Sequence, residues 1–270
     1  MILEKGRPLR RTPAAQAAFY LWGGFTAAGT LAVFLALWQQ ASLWLGDLVL
    51  PPPLPVLQRA VAILGQFRLA EIPLTAARAA VGVGLALLLG IGSGLLAGYW
   101  KTLGLFCRPL ISMLLGMPPI VWLVLALFWF GMGTGGVVFT ITVTTLPLTF
   151  AAAMRGMLTI DAQLSEMLQA YQVPWTGRVR HLYLPHLLNQ LLPAVSVAVG
   201  TGVKVALMAE LLGAEDGMGA RLAAARAMLD MQEVLAYVWI VLAMIFIVEY
   251  LIVEPLKILL MPWEQQTAFR

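Results

Sequence analysis

The stretch DAQLSEMLQAYQVPWTGRVRHLYLP, residues 161–185, decides how the rest of this chain is interpreted. It places Asp161, Glu166, Arg178 and Arg180 between two long apolar segments. A chain that crosses a membrane has to keep such a polar stretch out of the hydrocarbon, because charged side chains are costly there. The stretch therefore predicts a polar helix-turn-helix at a membrane surface, where another molecule can dock, with Asp161 as the N-cap of its first helix.

The composition is that of a membrane protein. The chain has 270 residues, of which 61% are hydrophobic and only 11% are charged, and its mean hydropathy is +0.87. Soluble domains carry about 25% charged residues, so lipid has to cover much of this surface. Several apolar runs reach the roughly 20 residues that a spanning helix needs. We predict an all-α polytopic membrane protein with about six transmembrane helices.

The apolar runs also predict the topology. The predicted spans cover residues 18–38, 74–99, 109–130, 137–157, 188–212 and 234–260. They form one transmembrane domain, 18–262, between a basic segment at 1–17 and a tail at 263–270. The proline-rich residues 50–55 predict a non-helical elbow, followed by an interfacial amphipathic helix at 56–67. Most basic residues fall in the termini and in alternate loops, so the positive-inside rule places both termini in the cytoplasm.

Two spans have an unusual composition. The second is rich in glycine, which lets helix backbones approach closely in lipid, and its Arg78 is expected to reach towards the interface. The third is interrupted at Met117, Pro118 and Pro119. Such a break has to be buried in protein or line a cavity, so these three residues predict either a gate or a packing kink.

Charged residues within predicted spans are candidates for a translocation pathway. Lys204 and Glu210 both lie in the fifth span, and an intramembrane charge usually faces a cavity or a partner. Lys204 can line the path of an anion or form a structural ion pair, and Glu249 and Glu254 are its possible partners. Positions six residues apart do not share a helix face, so Lys204 and Glu210 should not pair, and Glu210 should meet the outside loop instead.

The polar stretch resembles the coupling segment of the membrane subunit of ATP-binding-cassette (ABC) importers. The resemblance rests on the spacing E-x5-[G]-x9-[I/L]-x-L-P, which is matched by Glu166, Gln172, Leu182, Leu184 and Pro185, with Ala170 between the first two. Gln172 stands where the family usually has glycine. Since glycine adopts positive φ at low cost and glutamine does not, we expect a different turn here, built through Val173 and Pro174.

The order of the other motifs resembles the permeases of nitrate, sulfonate, taurine and bicarbonate importers. These motifs are L-P-x-P at 50–55, P-P at 118–119, W-F-G-x-G at 129–133, A-E-x-L-G at 209–213 and G-x-G at 217–219. The resemblance implies a multi-pass permease of the bacterial inner membrane that moves a small anion. Its implied partners are separate ABC ATPase subunits, a second permease subunit expected to be an identical copy, an external substrate-binding protein and membrane lipid.

The sequence also limits the function classes. It contains no phosphate-binding G-x-x-x-x-G-K-[S/T] stretch, so ATP and Mg²⁺ are expected on the partner ATPase, with no cofactor, metal or catalytic site in this chain. The single Cys107 excludes an intramolecular disulfide framework. The net charge of +4 fits the positive-inside rule better than nucleic-acid binding. An ion-gradient-driven secondary transporter and a non-transporting membrane scaffold remain as alternatives.

Overall fold

A computed structural model describes residues 3–4, 7–8, 13–66 and 71–255 of the chain. Within them, β1 (Leu3–Glu4) and β2 (Arg7–Pro8) form a two-residue antiparallel ladder, and the rest is helical apart from short turns. The helices are α1 (Pro13–Leu45), α2 (Pro53–Gly65), α3 (Ile72–Tyr99), α4 (Lys101–Gly116), α5 (Pro119–Phe130), α6 (Thr134–Leu158), α7 (Ala162–Ala170), α8 (Trp175–Arg178), α9 (Leu184–Gly213), α10 (Met218–Ala227) and α11 (Met231–Ile247). Two π-helical segments, Val179–Tyr183 and Val248–Val253, extend α8 into α9 and continue α11.

The predicted all-α class and the number of spans are confirmed. Among the described residues, five helical stretches are long and apolar enough to cross a membrane, and the bent pair α4 and α5 makes a sixth if it counts as one span. The first helix begins at Pro13 rather than at residue 18. The predicted tail at 263–270, the end of the sixth span and about half of the segment at 1–17 lie outside the described residues.

The centre of the fold is the contact between α3 and α6. A Cβ atom on Gly82 would lie 2.7 Å from the Ile141 side chain, and one on Gly94 would lie 2.8 Å from the Cβ of Ala153. Side chains cannot approach that closely, so glycine is what allows the two backbones to meet. This contact confirms the role predicted for the small residues of the second span.

Helix α9 completes the core against α3 and α6. The central apolar cluster contains Ala79, Val83, Leu123, Val137, Ile141, Val203, Val205, Ala206, Ala209 and Ala214. Threonine hydroxyls of α6 add hydrogen bonds across the helix pair: Thr142 donates to the Gly82 carbonyl at 3.2 Å, and Thr149 to the Ala86 carbonyl at 3.0 Å. The three helices therefore form the frame on which both ends of the molecule are built.

The third span is divided into two helices. Helix α4 starts at Lys101, earlier than the predicted 109, and the axes of α4 and α5 differ by 94°. Met117 and Pro118 lie between them, and Pro119 opens α5. The predicted break is confirmed. It is larger than a packing kink, because α4 ends before it and α5 begins after it as a separate helix.

Two predictions about the loops on the far side of the bundle are wrong in detail. Pro53 and Pro55 belong to the first turn of α2 rather than to a non-helical elbow, because a first-turn proline lacks only an N–H that the helix would leave unpaired. The apolar face of α2 packs against α11 through Ile63 and Ile240. The segment that the predicted fifth and sixth spans leave between them, residues 213–233, is not all loop, because it contains the short helix α10.

Candidate functional site

The coupling segment, residues 161–185, begins with a capped helix. The Asp161 carboxylate accepts hydrogen bonds from the backbone N–H groups of Gln163 and Leu164, at 2.8 and 3.2 Å. These groups have no partner within the helix, so the cap satisfies them. Asp161 is the N-cap that the sequence predicts, and it fixes where α7 leaves the end of α6.

The turn after α7 contradicts the expectation for Gln172. Gln172 adopts φ +54°, the conformation that glycine takes at low cost. Its N–H donates to the Gln169 carbonyl at 2.9 Å, and the Val173 N–H donates to the Leu168 carbonyl at 3.0 Å. This is the Schellman pattern of a helix C-terminus. The two hydrogen bonds stabilise the left-handed conformation of Gln172. The turn that glycine usually forms therefore forms here with a glutamine, and the predicted different turn is wrong.

The exposed side of α7 is partly apolar. No residue of α7 is buried, and Glu166, Ala170 and Gln172 are all exposed. Leu164 and Met167 expose 39% and 45% of their surface, and Tyr171, just after the helix, exposes 79%. Spacings of three and four residues place these three side chains along one stripe. An apolar stripe on a polar segment outside the bundle indicates a surface that another protein covers.

The second half of the segment is fixed to the bundle. Leu182 is buried, whereas Leu184 and Pro185 form the first turn of α9. Oγ1 of Thr159, at the end of α6, lies 3.0 Å from Nε2 of His186 in α9. Helix α8, the π-helical segment and α9 form one continuous stretch from Trp175 to Gly213. A displacement of α7 therefore has a direct path into the spanning helices.

A buried polar cluster lies at the opposite end of the bundle and centres on Arg78. This arginine is only 2% exposed. Its guanidinium donates to a Glu210 carboxylate oxygen at 3.0 Å, to an Asp216 carboxylate oxygen at 2.6 Å and to the Thr134 hydroxyl at 2.7 Å. The expectation that Arg78 reaches towards the interface is wrong. Burial is tolerated because the charge is paired and its donors are satisfied.

Glu210 joins this cluster to the first turn of α10. The carboxylate is fully buried and also accepts from the Thr75 hydroxyl at 2.7 Å and from the Gly219 backbone N–H at 3.1 Å. Glu210 thereby contacts the segment between the predicted fifth and sixth spans. Two glycines leave room for it: Gly217 has φ +101°, and a Cβ on Gly219 would lie 2.5 Å from the Cβ of Glu210. This geometry gives a physical reason for the A-E-x-L-G and G-x-G motifs.

The residue before α3 closes the cluster on its outer side. Glu71 has φ +57°, and its carboxylate accepts from Arg221 at 2.8 Å and from the Gly217 backbone N–H. Beside it, Arg59 of α2 donates to Glu233 at 2.5 Å, and this hydrogen bond is the main favourable interaction that raises the pKa of Arg59. Charged pairs thus join α10 to the start of α3 and α2 to α11.

Lys204 is placed differently from Glu210. It lies on an exposed face of α9, whereas its neighbours Val203 and Val205 are buried. Within the described residues, no carboxylate lies within salt-bridge distance of Lys204, and Glu210 pairs with Arg78 instead. Glu249 accepts a hydrogen bond from Ser196 at 2.7 Å. The structure thus separates the two candidates: Glu210 belongs to a structural cluster, and Lys204 faces out of the protomer.

The structure does not bring the Pro118 break together with either charged candidate in a single site. Met117 and Pro118 are exposed at the corner between α4 and α5. Sequence reasoning named Glu210 but missed Thr75, Thr134 and Asp216 as its companions. The T-x-x-R spacing of Thr75 and Arg78, on one helix face, is the signal that could have found Thr75. Thr134 and Asp216 accept from Arg78, and no local spacing points to them.

These features define a class: a polytopic helical membrane protein with a polar helix-turn-helix projecting from one end and a closed polar cluster at the other. Residues 86–254 match the family model "Binding-protein-dependent transport system inner membrane component", and the chain belongs to this family. The resemblance to ABC importer permeases is confirmed. A secondary transporter or a scaffold would not account for this family match.

Two relatives belong to the predicted group. The chain is 28% identical over 246 residues to the taurine transport system permease protein TauC of Escherichia coli, covering 87% of this chain and 88% of TauC. It is 28% identical over 192 residues to the putative aliphatic sulfonates transport permease protein SsuC of Bacillus subtilis, covering 70% of this chain and 69% of SsuC.

A solved structure supports the fold. The crystal structure of an amino acid ABC transporter with histidines matches with a TM-score of 0.56 at 18% identity, covering 74% of this chain and 95% of that chain. At this identity the match concerns the fold alone.

Proposed function

We propose that this chain is the translocation subunit of an ATP-driven importer for a small sulfonate-type anion. An external binding protein delivers the solute, a separate ATPase docks on the coupling segment, and a second copy of the chain completes the pathway. ATP and Mg²⁺ bind to the ATPase. This chain supplies the path and the mechanical connection.

The observation that carries the proposal is the exposed stripe on α7 between two fixed ends. Leu164, Met167 and Tyr171 present apolar surface outside the bundle, next to the Glu166 carboxylate. At one end Asp161 caps the helix, and at the other Leu182 is buried in the bundle. Such a segment binds a partner on its free face and passes the partner's movement to α6 and α9.

The proposed substrate class rests on Lys204 and on the relatives. An ammonium group that faces out of the protomer in mid-span is costly in lipid, so a water-filled path between two copies is the environment that suits it. A cation in that path favours an anion. The names of TauC and SsuC refer to taurine and aliphatic sulfonates, which carry a sulfonate group, so we place a sulfonate before nitrate and bicarbonate.

The proposed orientation places the coupling segment in the cytoplasm of a bacterial cell. Arg155, Arg178 and Arg180 lie at or next to this segment, as the positive-inside rule requires of a cytoplasmic end. The Arg78 cluster then lies on the outer side, beneath the loops that face the binding protein. Both termini are cytoplasmic in this arrangement.

The test is a reconstituted assay of the whole complex. The chain is purified with the ATPase encoded beside it, placed in liposomes and supplied with its binding protein loaded with taurine, an aliphatic sulfonate, nitrate or bicarbonate. We expect one loaded sulfonate to stimulate ATP hydrolysis. Stimulation by nitrate or bicarbonate alone would keep the importer and reject the sulfonate. Failure to associate with any ATPase would reject the proposal.

The role of Lys204 is tested by changing its charge. We expect Lys204→Met to assemble with the ATPase but to reduce anion uptake at least tenfold, because the cation in the path is removed, whereas Lys204→Arg retains most uptake. Uptake is measured in the same liposomes with radiolabelled solute. If Lys204→Met assembles and transports like the unchanged protein, Lys204 is not in the pathway.

A further inference from the structure

Arg108 is a cation in apolar surroundings on the outside of the bundle. It lies on the exposed side of α4, between Leu105, which is 66% exposed, and Leu115, which is 51% exposed. Helix α4 packs against the bundle through Ile111, which belongs to a buried cluster with Phe150 of α6. Ile111 is three residues after Arg108, so Arg108 lies at the edge of the packed face, with its own side chain exposed. Arg108 therefore faces the medium around the protein and not the interior.

No protein carboxylate is available to Arg108 on the helices around it. Helices α3, α4, α5 and α6 contain no Asp or Glu. Within the described part of the chain, Arg108 has neither a salt bridge nor a side-chain hydrogen bond. A guanidinium in an apolar environment needs an anion to offset its desolvation. In this part of the molecule the anion has to come from outside the chain.

The position of Arg108 along the membrane identifies the source of that anion. Gly98, near the end of α3, packs against Met157, near the end of α6, so α4 starts at the same end of the bundle as the coupling segment. Arg108 lies seven residues into α4, about 10 Å along its axis at 1.5 Å per residue. The apolar stem of an arginine can extend over that kind of surface and place its charge in the headgroup layer.

A cavity and a groove at the start of α4 fit a lipid. A cavity of about 200 Å³ is lined by Gly104, Leu105, Arg108 and Leu158. On the adjoining side of α4, an open groove of about 670 Å³ is lined by Tyr99, Trp100, Thr102, Leu103 and Phe106. Thr102 is three residues before Leu105, so the two surfaces meet there. Tyrosine and tryptophan favour the level of lipid headgroups, and exposed Phe106 and Leu105 offer apolar contact below that level.

We propose that this surface is a binding site for an anionic phospholipid of the phosphatidylglycerol type. Arg108 contacts the phosphate, Tyr99 and Trp100 flank the headgroup, and an acyl chain covers Leu105 and Phe106. The site lies next to the end of α6, from which the coupling segment starts. Its ligand is part of the membrane and is distinct from the transported solute.

Lipid binding to the purified complex tests the proposal without any transport measurement. Native mass spectrometry is used to titrate phosphatidylglycerol and phosphatidylcholine against the unchanged protein and Arg108→Gln. One basic group near the membrane surface corresponds to about a fivefold difference in affinity for an anionic lipid. We expect Arg108→Gln to lose about this much affinity for phosphatidylglycerol and none for phosphatidylcholine, and Arg108→Lys to keep most of it.

Arg226→Gln, an exposed arginine of α10 at the other end of the bundle, is the matched control and should bind phosphatidylglycerol unchanged. Leu105→Trp, which fills the cavity and keeps the charge, should also weaken binding. Equal phosphatidylglycerol affinity of Arg108→Gln and the unchanged protein would overturn the proposal. So would competition by glycerol phosphate as strong as that by the whole lipid, which indicates a simple anion site. A changed oligomeric state of Arg108→Gln with unchanged lipid binding would show that protein covers this face.

Discussion

The two polar ends of this molecule are built in opposite ways. In the Arg78 cluster the guanidinium and the Glu210 carboxylate are almost fully buried, and four separate parts of the chain supply their hydrogen-bond partners. In the coupling segment no residue of α7 is buried, and Leu164, Met167 and Tyr171 present apolar surface to the outside. The first end has its polar groups paired within one chain, whereas the second presents the surface on which we propose that the ATPase docks.

We therefore expect the Arg78 cluster to be rigid and the coupling segment to bind the proposed ATPase. Breaking a buried charged pair leaves a charge without a partner, and the cost is several kcal/mol. Removing an exposed side chain costs little stability but changes what can bind. Changes to the cluster should therefore affect folding, and changes to the coupling segment should affect coupling.

The largest effect is expected from Glu210→Ala. It leaves Arg78 buried beside only the partly exposed Asp216, and breaking a buried pair costs roughly 3–5 kcal/mol. We expect a large loss of stability in SDS titration of the protein in mixed micelles. Asp216→Ala is the matched control: its side chain is 54% exposed and Glu210 remains, so the loss should be about 1 kcal/mol or less. Equal losses for the two variants would mean that the cluster is not held by its buried pair.

A smaller effect is expected from Gly217→Ala. Gly217 has φ +101°, and a Cβ atom there would collide with the Glu210 carboxyl group. A strained backbone residue costs of the order of 1–3 kcal/mol, so the apparent melting temperature in detergent should fall. Gly200→Ala in α9, where a Cβ meets nothing within 4 Å, should leave it unchanged or raise it. A melting temperature for Gly217→Ala that matches the unchanged protein would contradict the geometry of the loop.

The smallest effect is expected from Gln172→Gly in the coupling segment. A non-glycine residue in the left-handed region costs about 1 kcal/mol, so glycine should strengthen the turn after α7. Hydrogen exchange of the Gln172 and Val173 amides should slow by up to about fivefold. Tyr171→Gly, one residue earlier where φ is −79°, should speed it up. Faster exchange in Gln172→Gly would show that the glutamine side chain itself stabilises the turn.

The parts of the fold that depend on local sequence were predictable. Apolar runs predicted the spans, and the glycines of the second span predicted close helix packing, although not that α6 is the partner. The Met117–Pro118–Pro119 stretch predicted the break in the third span. The motif spacing gave the coupling segment and Asp161 gave its cap. Each of these depends on residues that are near one another in the chain or on one helix face.

The parts that depend on distant partners were not predictable. Arg78 meets Glu210 across 132 positions of sequence, and no local pattern tells whether an arginine near the end of a span turns inwards or towards the interface. For Gln172 the local preference was misleading. Glutamine disfavours the left-handed conformation, but the two hydrogen bonds of the Schellman pattern outweigh that preference.

The proposed role of the coupling segment is tested most directly by Glu166→Ala in the reconstituted complex, measuring solute uptake and ATP hydrolysis in the same liposomes. Glu215→Ala, an exposed carboxylate at the opposite end of the bundle, is the control. We expect the Glu166→Ala complex to bind the ATPase more weakly or to hydrolyse ATP without proportionate uptake. We expect the Glu215→Ala complex to bind the ATPase and to couple hydrolysis to uptake. Unchanged docking and unchanged uptake per ATP in Glu166→Ala would contradict the account.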